Sequence, residues 1–339
     1  QSARRMCGYV YADAGEGEST TDVVFTGHNM IAENGTLLAE RRFATGLTVS
    51  EIDVDRLAYE RRRMTTFNGQ RQADLWRASF SLPLEETRLT RAVSPAPFVP
   101  ADAEDRAERC NEILKIAALG LKKRLEHTGA KTAVVGLSGG LDSTLALLVT
   151  ALAMGMLNRP ASDIVAVTMP CFGTSDRTYN NSWELMRTLG ISCKEINIKD
   201  AVNLHFSDIG HDPSIHNGTY ENSQARERTQ ILMDYASVVG GIVVGTGDLS
   251  ELALGWCTYN GDHMSMYGVN ASIPKTLIRW MIDAISEMPA FAPSRAVLQD
   301  ILDTPISPEL LPPDAEGKIA QHTEDLVGPY ALHDFFLYY

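Results

Sequence analysis

The sequence is poor in cysteine and offers no arrangement in which its cysteines could pair. The five cysteines among 339 residues are odd in number, widely spaced and never form a CxxC pair. Disulfide frameworks and tetrahedral zinc sites need thiols in pairs or in close groups. The pattern therefore argues against both and predicts reduced thiols, as is usual in the cytoplasm.

Long apolar runs and an excess of basic residues are missing as well. The longest apolar run, residues 145–157, is shorter than the roughly 18 residues that a membrane span requires. No apolar signal-peptide core follows the first residues. Lysine and arginine number 30 against 43 acidic residues, which gives a net charge of -13. Because nucleic-acid surfaces need clustered cations, we predict a cytoplasmic protein with neither a membrane nor a nucleic acid as its partner.

The first 90 residues carry short strand patterns. Residues 8–12, 21–32 and 37–39 favour strands, with a turn at Asn34-Gly35 between the last two. That is too little strand for a sheet with its own core. The opposite end, residues 335–339, is an apolar run that stops abruptly, whereas termini are usually polar. Both ends lead us to expect a fragment of a longer protein.

Strand and helix patterns alternate in the rest of the chain. Residues 91–103 contain three prolines and are predicted to be a linker, and residues 104–127 carry one apolar stripe at helical spacing. Further on, we predict strands at residues 132–137, 163–169, 191–198 and 241–244, and helices from residue 141, at 178–189 and at 221–239. Repeated strand–helix units predict an α/β fold, a doubly wound parallel sheet with helices on both faces.

The most informative segment is GLSGGLDST, residues 136–144, which lies between a predicted strand and a helix. The chain has neither the Gly-Lys-Ser/Thr of a Walker A loop nor a GxGxxG motif, which disfavours kinase-type and dinucleotide redox functions. Glycines at this point let backbone amides approach an anion, and the helix start adds its positive dipole. Ser138 and Ser143 could add hydroxyl donors, and Asp142 a carboxylate suited to Mg²⁺. A Gly-Gly pair alone would indicate only a turn, but the whole segment predicts a phosphate site.

This segment resembles the pyrophosphate loop of the ATP pyrophosphatase superfamily, which includes several synthetases and tRNA thiolases. Three more segments narrow the resemblance: MPCFGTSDRT at residues 169–178, QARER at 224–228 and GTGDLSELALGWCTYNGD at 245–262. In this order they resemble the glutamine-dependent NAD synthetase family. Residues 12–22 resemble the end of that family's nitrilase-like glutaminase domain. The resemblance implies the C-terminal part of a nitrilase-like α+β domain over residues 1–90. It also implies a C-terminally truncated, adenine nucleotide α-hydrolase-like domain over 104–339.

The resemblance implies ATP-dependent amidation of deamido-NAD to NAD through an adenylated intermediate. Ammonia, normally derived from glutamine, would be the nucleophile, and AMP and pyrophosphate would be released. Mg²⁺ is the implied cofactor, ATP the co-substrate, and a homodimer the implied assembly. Another ATP pyrophosphatase and an inactive nucleotide-binding fragment are the alternatives.

Site residues are carried over from the resemblance by position. ATP would contact Gly136, Leu137, Ser138, Gly139, Gly140, Leu141, Asp142, Ser143, Thr246 and Lys275. Deamido-NAD would contact Asn222, Arg226, Glu251, Trp256, Cys257, Thr258 and Tyr259. Mg²⁺ would bind Asp142 and Glu251, and the implied catalytic residues are Ser138, Asp142, Glu251 and Lys275. Paired carboxylates can hold a metal on phosphate oxygens, and flat aromatic faces suit a cationic pyridine ring.

Single residues of this set have simpler explanations. Glu251 begins a predicted helix, where the dipole favours acids, and Arg226 could belong to a solvated face. Trp256 and Tyr259 could be core aromatics. Only their order and context favour a site.

The sequence also departs from the family pattern. The segments that carry the glutaminase triad would lie upstream, so Cys7 is predicted not to be catalytic and free ammonia to be the only usable nitrogen source. Tyr259 replaces a lysine and Met266 an aspartate of the ammonia-only enzymes, and a C-terminal substrate lysine has no counterpart. These departures leave the roles of Tyr259 and Met266 open.

Overall fold

The computed structural model describes residues 1–15, 17–18, 24–43, 45–65, 76, 78–81, 83, 85–86, 88–304, 310–311 and 323–339. These residues group into two compact units, Gln1–Ser94 and Pro95–Tyr339. Residues 91–102 contain neither helix nor strand. In the part of the chain that is described, no helix has both the length and the apolar character needed to cross a bilayer.

The first unit contains a three-stranded antiparallel sheet of β1 (Gly8–Tyr11), β2 (Asn29–Glu33) and β3 (Thr36–Arg41). The turn predicted at Asn34-Gly35 is confirmed, and both of its residues have positive φ, 42° and 91°. These strands are therefore joined to each other as the turn signal predicted.

The strand predicted over residues 21–32 is wrong at residues 24–28, which are not in a strand, and residues 21–23 lie outside the described residues. Gly27 has a φ of 59° and its amide donates to the carbonyl of Ala14. That left-handed backbone conformation is incompatible with extended pairing, so β2 begins only at Asn29.

Two short helices, α1 (Ser2–Arg5) and α2 (Val54–Arg63), complete the regular structure of the described part of this unit. Glu33 is 3% exposed and its two oxygens accept from Arg91 at 3.0 and 3.1 Å. Glu33 also accepts from the amide of Asp53, which caps α2. The buried carboxylate therefore has partners for its charge, as a buried ion requires.

The second unit is built on a five-stranded sheet in which all pairs are parallel. In chain order its strands are β4 (Thr132–Gly136), β5 (Ile164–Thr168), β6 (Ser192–Glu195), β7 (Gly241–Gly245) and β8 (Tyr267–Gly268). Their spatial order is β6-β5-β4-β7-β8. The predicted parallel sheet is confirmed. β6 is shorter than predicted, and β8, with two residues, is too short for a sequence pattern.

Helices cover both faces of this sheet. The helices in the described part of this unit are α3 (Ala103–Thr128), α4 (Leu141–Met156), α5 (Asp176–Leu189), α6 (Lys199–Ile209), α7 (Gly218–Val238), α8 (Leu249–Leu254), α9 (Lys275–Ser286), α10 (Arg295–Leu302), α11 (Thr323–Val327) and α12 (Tyr330–Tyr338). Ala133 and Val135 of the central strand pack with α3, α4, α5, α9 and α10, whereas Val134 packs with α6 and α7. Alternate residues of a strand point to opposite faces, so the doubly wound architecture is confirmed.

Helix α3 follows the apolar stripe that predicted it. The Asp102 side chain accepts from two amides of the first turn, and Gly129 ends the helix with a φ of 66°. Leu114, Leu121 and Leu125 are buried on its inner face. This capping by aspartate and glycine explains why the predicted bounds are correct to within one residue.

We predict that Leu121→Ala lowers the free energy of unfolding by about 2–5 kcal/mol, because it leaves a cavity in the core under α3. Leu121 is fully buried, whereas Leu119 on the same helix is 52% exposed. Leu119→Ala should therefore change the stability by less than about 0.5 kcal/mol. Urea denaturation of both variants tests this, and equal losses would contradict the placement of α3.

Candidate functional site

The candidate site lies at the carboxyl ends of β4, β5 and β7. The chain builds the sheet outwards from β4 to β6 and then returns to the other side of β4 at β7. In parallel α/β sheets, ligands bind where the strand order reverses in this way. A cavity of about 300 Å³ opens at this point. Its walls include the ends of all three strands, namely Gly136, Leu137 and Ser138, Thr168, Met169 and Pro170, and Gly245, Thr246 and Gly247.

The glycine-rich loop between β4 and α4 is held in one shape by its own hydroxyls and by α5. Ser138 Oγ lies 3.1 Å from Ser143 Oγ and accepts a 3.2 Å hydrogen bond from the amide of Gly140. Gly139 has a φ of 87°, and a Cβ added there would lie 2.4 Å from the backbone oxygen of Thr178. Only glycine fits this conformation without strain. The hydroxyls of Ser138 and Ser143 and the conformation of Gly139 therefore together fix the shape of the loop.

The charged centre of the cavity is the ammonium of Lys275. Its Nζ lies 2.8 Å from Asp142 Oδ2 and 2.6 Å from Asp248 Oδ2. A third carboxylate, that of Glu251, places Oε1 at 2.9 Å. Burial by itself lowers the pKa of Lys275, but the three carboxylates outweigh it and hold that pKa well above its ordinary value. Lys275 is therefore a fixed positive charge at neutral pH.

Asp248 is the member of this group that sequence reasoning missed. Its side chain accepts from the amide of Glu251 at 2.9 Å, and Glu251 Oε2 accepts from the amide of Asp248 at 3.3 Å. This reciprocal arrangement is a capping box at the start of α8. Burial raises the pKa of Asp248. The signal was present in the sequence, because Asp-Leu-Ser-Glu has the spacing of a capping box.

The surroundings of Glu251 also perturb its carboxylate. Burial raises its pKa to about 7, and the nearby charge of Asp142 adds to the increase, against the opposing effect of Lys275. One ammonium cannot neutralise three carboxylates. The site is therefore favourable to additional positive charge.

The carboxylates fit a divalent cation. Asp142, Asp248 and Glu251 each offer an oxygen within 4.8 Å of the others. Asp142 Oδ1 is buried and accepts no hydrogen bond from any residue that the structure describes. A buried carboxylate oxygen without a donor is costly unless a ligand satisfies it, and carboxylate oxygens are the ligands that Mg²⁺ prefers.

The residues predicted to bind deamido-NAD divide into two groups. Glu251, Trp256 and Cys257 line the cavity, as do Thr246 and Lys275 from the predicted ATP set. The remaining four residues do not line the cavity and form two hydrogen-bonded pairs instead. These pairs are Asn222 with Thr258 and Arg226 with Tyr259. Three loop residues of the predicted ATP set do not line the cavity either, namely Gly139, Gly140 and Leu141.

The second group ties α7 to the segment after α8. Thr258 Oγ1 donates to Asn222 Oδ1 at 2.8 Å, and Arg226 Nε donates to the carbonyl of Tyr259 at 3.0 Å. The Tyr259 side chain itself is 77% exposed. In this conformation these side chains position the segment that carries Trp256 and Cys257.

Arg228, and not Arg226, is the arginine of α7 that lines the cavity. It lies on one helical face with Ala225, Thr229 and Leu232, which line the cavity too. Residues two apart on a helix point in different directions, so Arg226 cannot share that face. Arg228 Nε donates to the carbonyl of Met169 at 3.4 Å. The helical spacing in the sequence places Arg228 on the face of Ala225, and only the packing of α7 shows that this face borders the cavity.

Asn270 and Tyr330 complete the surroundings of the charged centre, and no sequence signal identified either. The buried Asn270 amide donates to the carbonyls of Asp142 and Thr246, at 2.9 and 3.0 Å, and so joins two loops of the site. The Tyr330 ring centroid lies 5.2 Å from Lys275 Nζ. Burial raises the pKa of the Tyr330 hydroxyl. Tyr330 is far in sequence from the motifs, whereas Asn270 lies between the segment 245–262 and Lys275 without matching a motif.

Comparison with known proteins identifies the domain that carries this site. Residues 113–328 match the family model described as NAD synthase. The chain is 47% identical over 354 aligned residues to a glutamine-dependent NAD(+) synthetase of Mycobacterium leprae, in an alignment covering 99% of this chain and 52% of that protein. A glutamine-dependent NAD(+) synthetase of Mycobacterium bovis is 46% identical with the same coverage. The chain thus spans about half the length of the curated relatives it matches.

A solved structure supports the fold. The NMN synthetase of Francisella tularensis superimposes with a TM-score of 0.55 at 24% identity, covering 67% of this chain and 85% of that one. At this identity the likeness concerns the fold alone. It agrees with the parallel sheet flanked by helices that the sequence predicted.

We predict that Gly139→Ala destabilises the protein by about 1–3 kcal/mol, because it forces a positive φ on alanine and a Cβ against Thr178. Gly155 in α4 is the matched control, since a Cβ there meets nothing within 4 Å. Gly155→Ala should stabilise the helix by about 0.5–1 kcal/mol. Thermal unfolding distinguishes the two, and a neutral Gly139→Ala would contradict the loop conformation.

We predict that Glu251→Gln stabilises the metal-free protein at pH 8. The folded-state pKa of Glu251, about 7, lies above its unfolded value of 4.5, so ionising it costs stability as the pH rises from about 4.5 to 7. The neutral glutamine avoids that penalty, by about 1–3 kcal/mol above pH 7. The gap between variant and wild type should close as the pH falls to about 5. Urea unfolding in EDTA measures it, and a gap independent of pH would contradict the assignment.

Proposed function

The chain belongs to the NAD synthase family, and on that premise we propose that it catalyses the ATP-dependent amidation of deamido-NAD to NAD. The carboxylate of deamido-NAD would be adenylated by ATP, pyrophosphate would leave, and ammonia would displace AMP. One observation carries the proposal: the glycine-rich loop and the Lys275–carboxylate cluster border one cavity at the carboxyl end of a parallel sheet.

We propose that the β4–α4 loop binds the phosphates of ATP. The start of α4 directs backbone amides and the positive end of its dipole towards this loop. Arg228 adds a guanidinium to the same cavity, and Thr246 adds a hydroxyl. A planar guanidinium is suited to phosphate oxygens. Lys275 supplies a permanent charge beside the carboxylates.

Asp142 and Glu251 would hold Mg²⁺, with Asp248 as a third available carboxylate. When bound, the ion would neutralise charge that develops on the phosphates as pyrophosphate leaves. The unsatisfied Asp142 Oδ1 supports this role. Asp248 is more deeply buried and hydrogen-bonded in its capping box, so its main role here is to hold Glu251 and Lys275.

For deamido-NAD we propose direct contacts with Trp256 and Cys257, whose side chains border the cavity. An indole face suits a cationic pyridine ring. Asn222 and Arg226 would act on the substrate through the segment that they hold in place. This division of roles revises the sequence expectation that all of them touch the substrate.

Ammonia is the proposed nucleophile, and no protein nucleophile is required. The relatives are named glutamine-dependent synthetases, and we propose that residues 1–90 are the C-terminal part of a nitrilase-like glutaminase domain. Cys7 is half-buried just before β1, and we propose no role for it in this reaction. The cytoplasmic location and the homodimer stay predictions, to be checked by fractionation and by light scattering.

The decisive experiment is AMP and pyrophosphate release from ATP with Mg²⁺, ammonium and deamido-NAD. We expect release that depends on deamido-NAD and falls at least 100-fold in Asp142→Ala, because the variant loses a metal ligand and a partner of Lys275. Asp163→Ala, on the short turn before β5 and outside the cavity, is the control and should retain activity.

Release of AMP and pyrophosphate that does not depend on deamido-NAD would indicate another ATP pyrophosphatase. Mg²⁺-dependent ATP binding without release would identify an inactive nucleotide-binding fragment. Either result would overturn the proposed reaction for this chain.

A further inference from the structure

We propose that helix α12 is a positioning element of the active site, acting on Lys275 and Glu251 through Asp334 and Tyr330. The structural part of this inference stands on contacts alone, and its catalytic consequence rests on the proposed function. Helix α12 begins at Tyr330, beyond residue 328, the last residue that the NAD synthase family model matches.

Helix α9 has no side-chain cap from its own N-cap residue. Helix α9 has Pro274 at its N-cap, and proline has no side-chain acceptor for the first amides. The amides of the first turn of any helix need partners from elsewhere. Here the amide of Lys275 donates to Ser250 Oγ at 2.9 Å, and that of Thr276 donates to Asp334 Oδ2 at 2.9 Å. The cap of α9 is thus supplied by α8 and α12.

Asp334 joins these partners into one network. Its Oδ2 also accepts from Thr276 Oγ1 at 2.6 Å, and its Oδ1 accepts from the hydroxyl of Ser250. Asp334 is 1% exposed, so its charge depends on these donors and on the positive end of α9. Ser250 precedes Glu251, and Thr276 follows Lys275. One carboxylate therefore fixes the residues adjacent to both of these charged groups.

Tyr330 contacts Lys275 from the same helix. It lies four residues before Asp334, and residues with this spacing share one helical face. Its ring centroid is 5.2 Å from Lys275 Nζ, a distance suited to cation–π attraction. Helix α12 therefore contacts the ammonium of Lys275 through Tyr330 and holds the adjacent backbone amide, that of Thr276, through Asp334.

The burial of α12 supports a positioning role. Tyr330 and Asp334 are the buried residues of this helix, whereas Leu332 and Phe336 are 52% and 70% exposed. A helix that served the core alone would bury its leucines and phenylalanines, of which only Phe335 is even half-buried here. Instead it fully buries the tyrosine beside Lys275 and the aspartate that accepts from Thr276 and Ser250.

The test compares Asp334→Asn with Asp325→Asn, an exposed aspartate of α11. Small displacements of Lys275 and Glu251 should affect the transition state more than substrate binding. We expect kcat of Asp334→Asn to fall about 10- to 100-fold, with the KM for deamido-NAD changed less than threefold. Asp325→Asn should match the wild type.

Amide hydrogen exchange provides a readout that does not require activity. In Asp334→Asn the amides of Lys275 and Thr276 should exchange at least tenfold faster, while those of β4 and β5 stay protected. Unchanged protection together with unchanged kcat would overturn the inference. Faster exchange throughout the chain, with kcat lost in proportion to the folded fraction, would also overturn it, because Asp334 would then serve stability alone.

A milder pair of variants keeps the inference testable if Asp334→Asn fails to fold. Thr276→Val removes the hydroxyl donor to Asp334, and Thr276→Ser restores it. We expect kcat to fall severalfold in the first and to recover in the second, whereas equal kcat values would overturn the inference. If the wild type releases no pyrophosphate, the proposed function fails, and the exchange measurement still decides whether α12 positions Lys275.

Discussion

The ammonium of Lys275 among three carboxylates is the interaction on which the site depends. These groups come from three helices: Asp142 from α4, Lys275 from α9, and Asp248 and Glu251 from the start of α8. A buried charge must be compensated by partners with good geometry, so each helix start is held to the others. The loop before α4, the capping box of α8 and the cap of α9 are the local means by which this is done.

The same centre keeps an excess of negative charge. Burial raises the pKa of Glu251 to about 7, and the charges of Asp142 and Asp248 add to the increase because one lysine cannot neutralise all three carboxylates. Asp142 keeps one buried oxygen without a donor among the described residues. Such an arrangement is less stable by itself than a neutral one, and a divalent cation would relieve it. The proposed binding of Mg²⁺ and of the ATP phosphates would offset this loss of stability.

Supporting contacts extend well beyond the motifs. Asn270 joins the loops of Asp142 and Thr246 through its amide, and Asp334 joins Ser250 to Thr276. On α7, Asn222 and Arg226 hold the segment that follows α8. Groups that touch a substrate need neighbours that fix their rotamers and backbone. At the proposed site such neighbours come from the segment after β8, from α7 and from the last described helix.

Local signals in the sequence determined the strand–helix alternation, the glycine-rich loop and the bounds of α3, because periodicity, capping residues and glycine conformations act over a few residues. They also predicted the family and brought Asp142, Glu251 and Lys275 into one site, through resemblance in the order of motifs. Only the tertiary structure decided that Arg228 and not Arg226 borders the cavity, that Tyr330 lies beside Lys275, and that Asp334 accepts from Thr276. The packing of α7 and contacts across more than fifty residues fix those positions, and neither is encoded in any one segment.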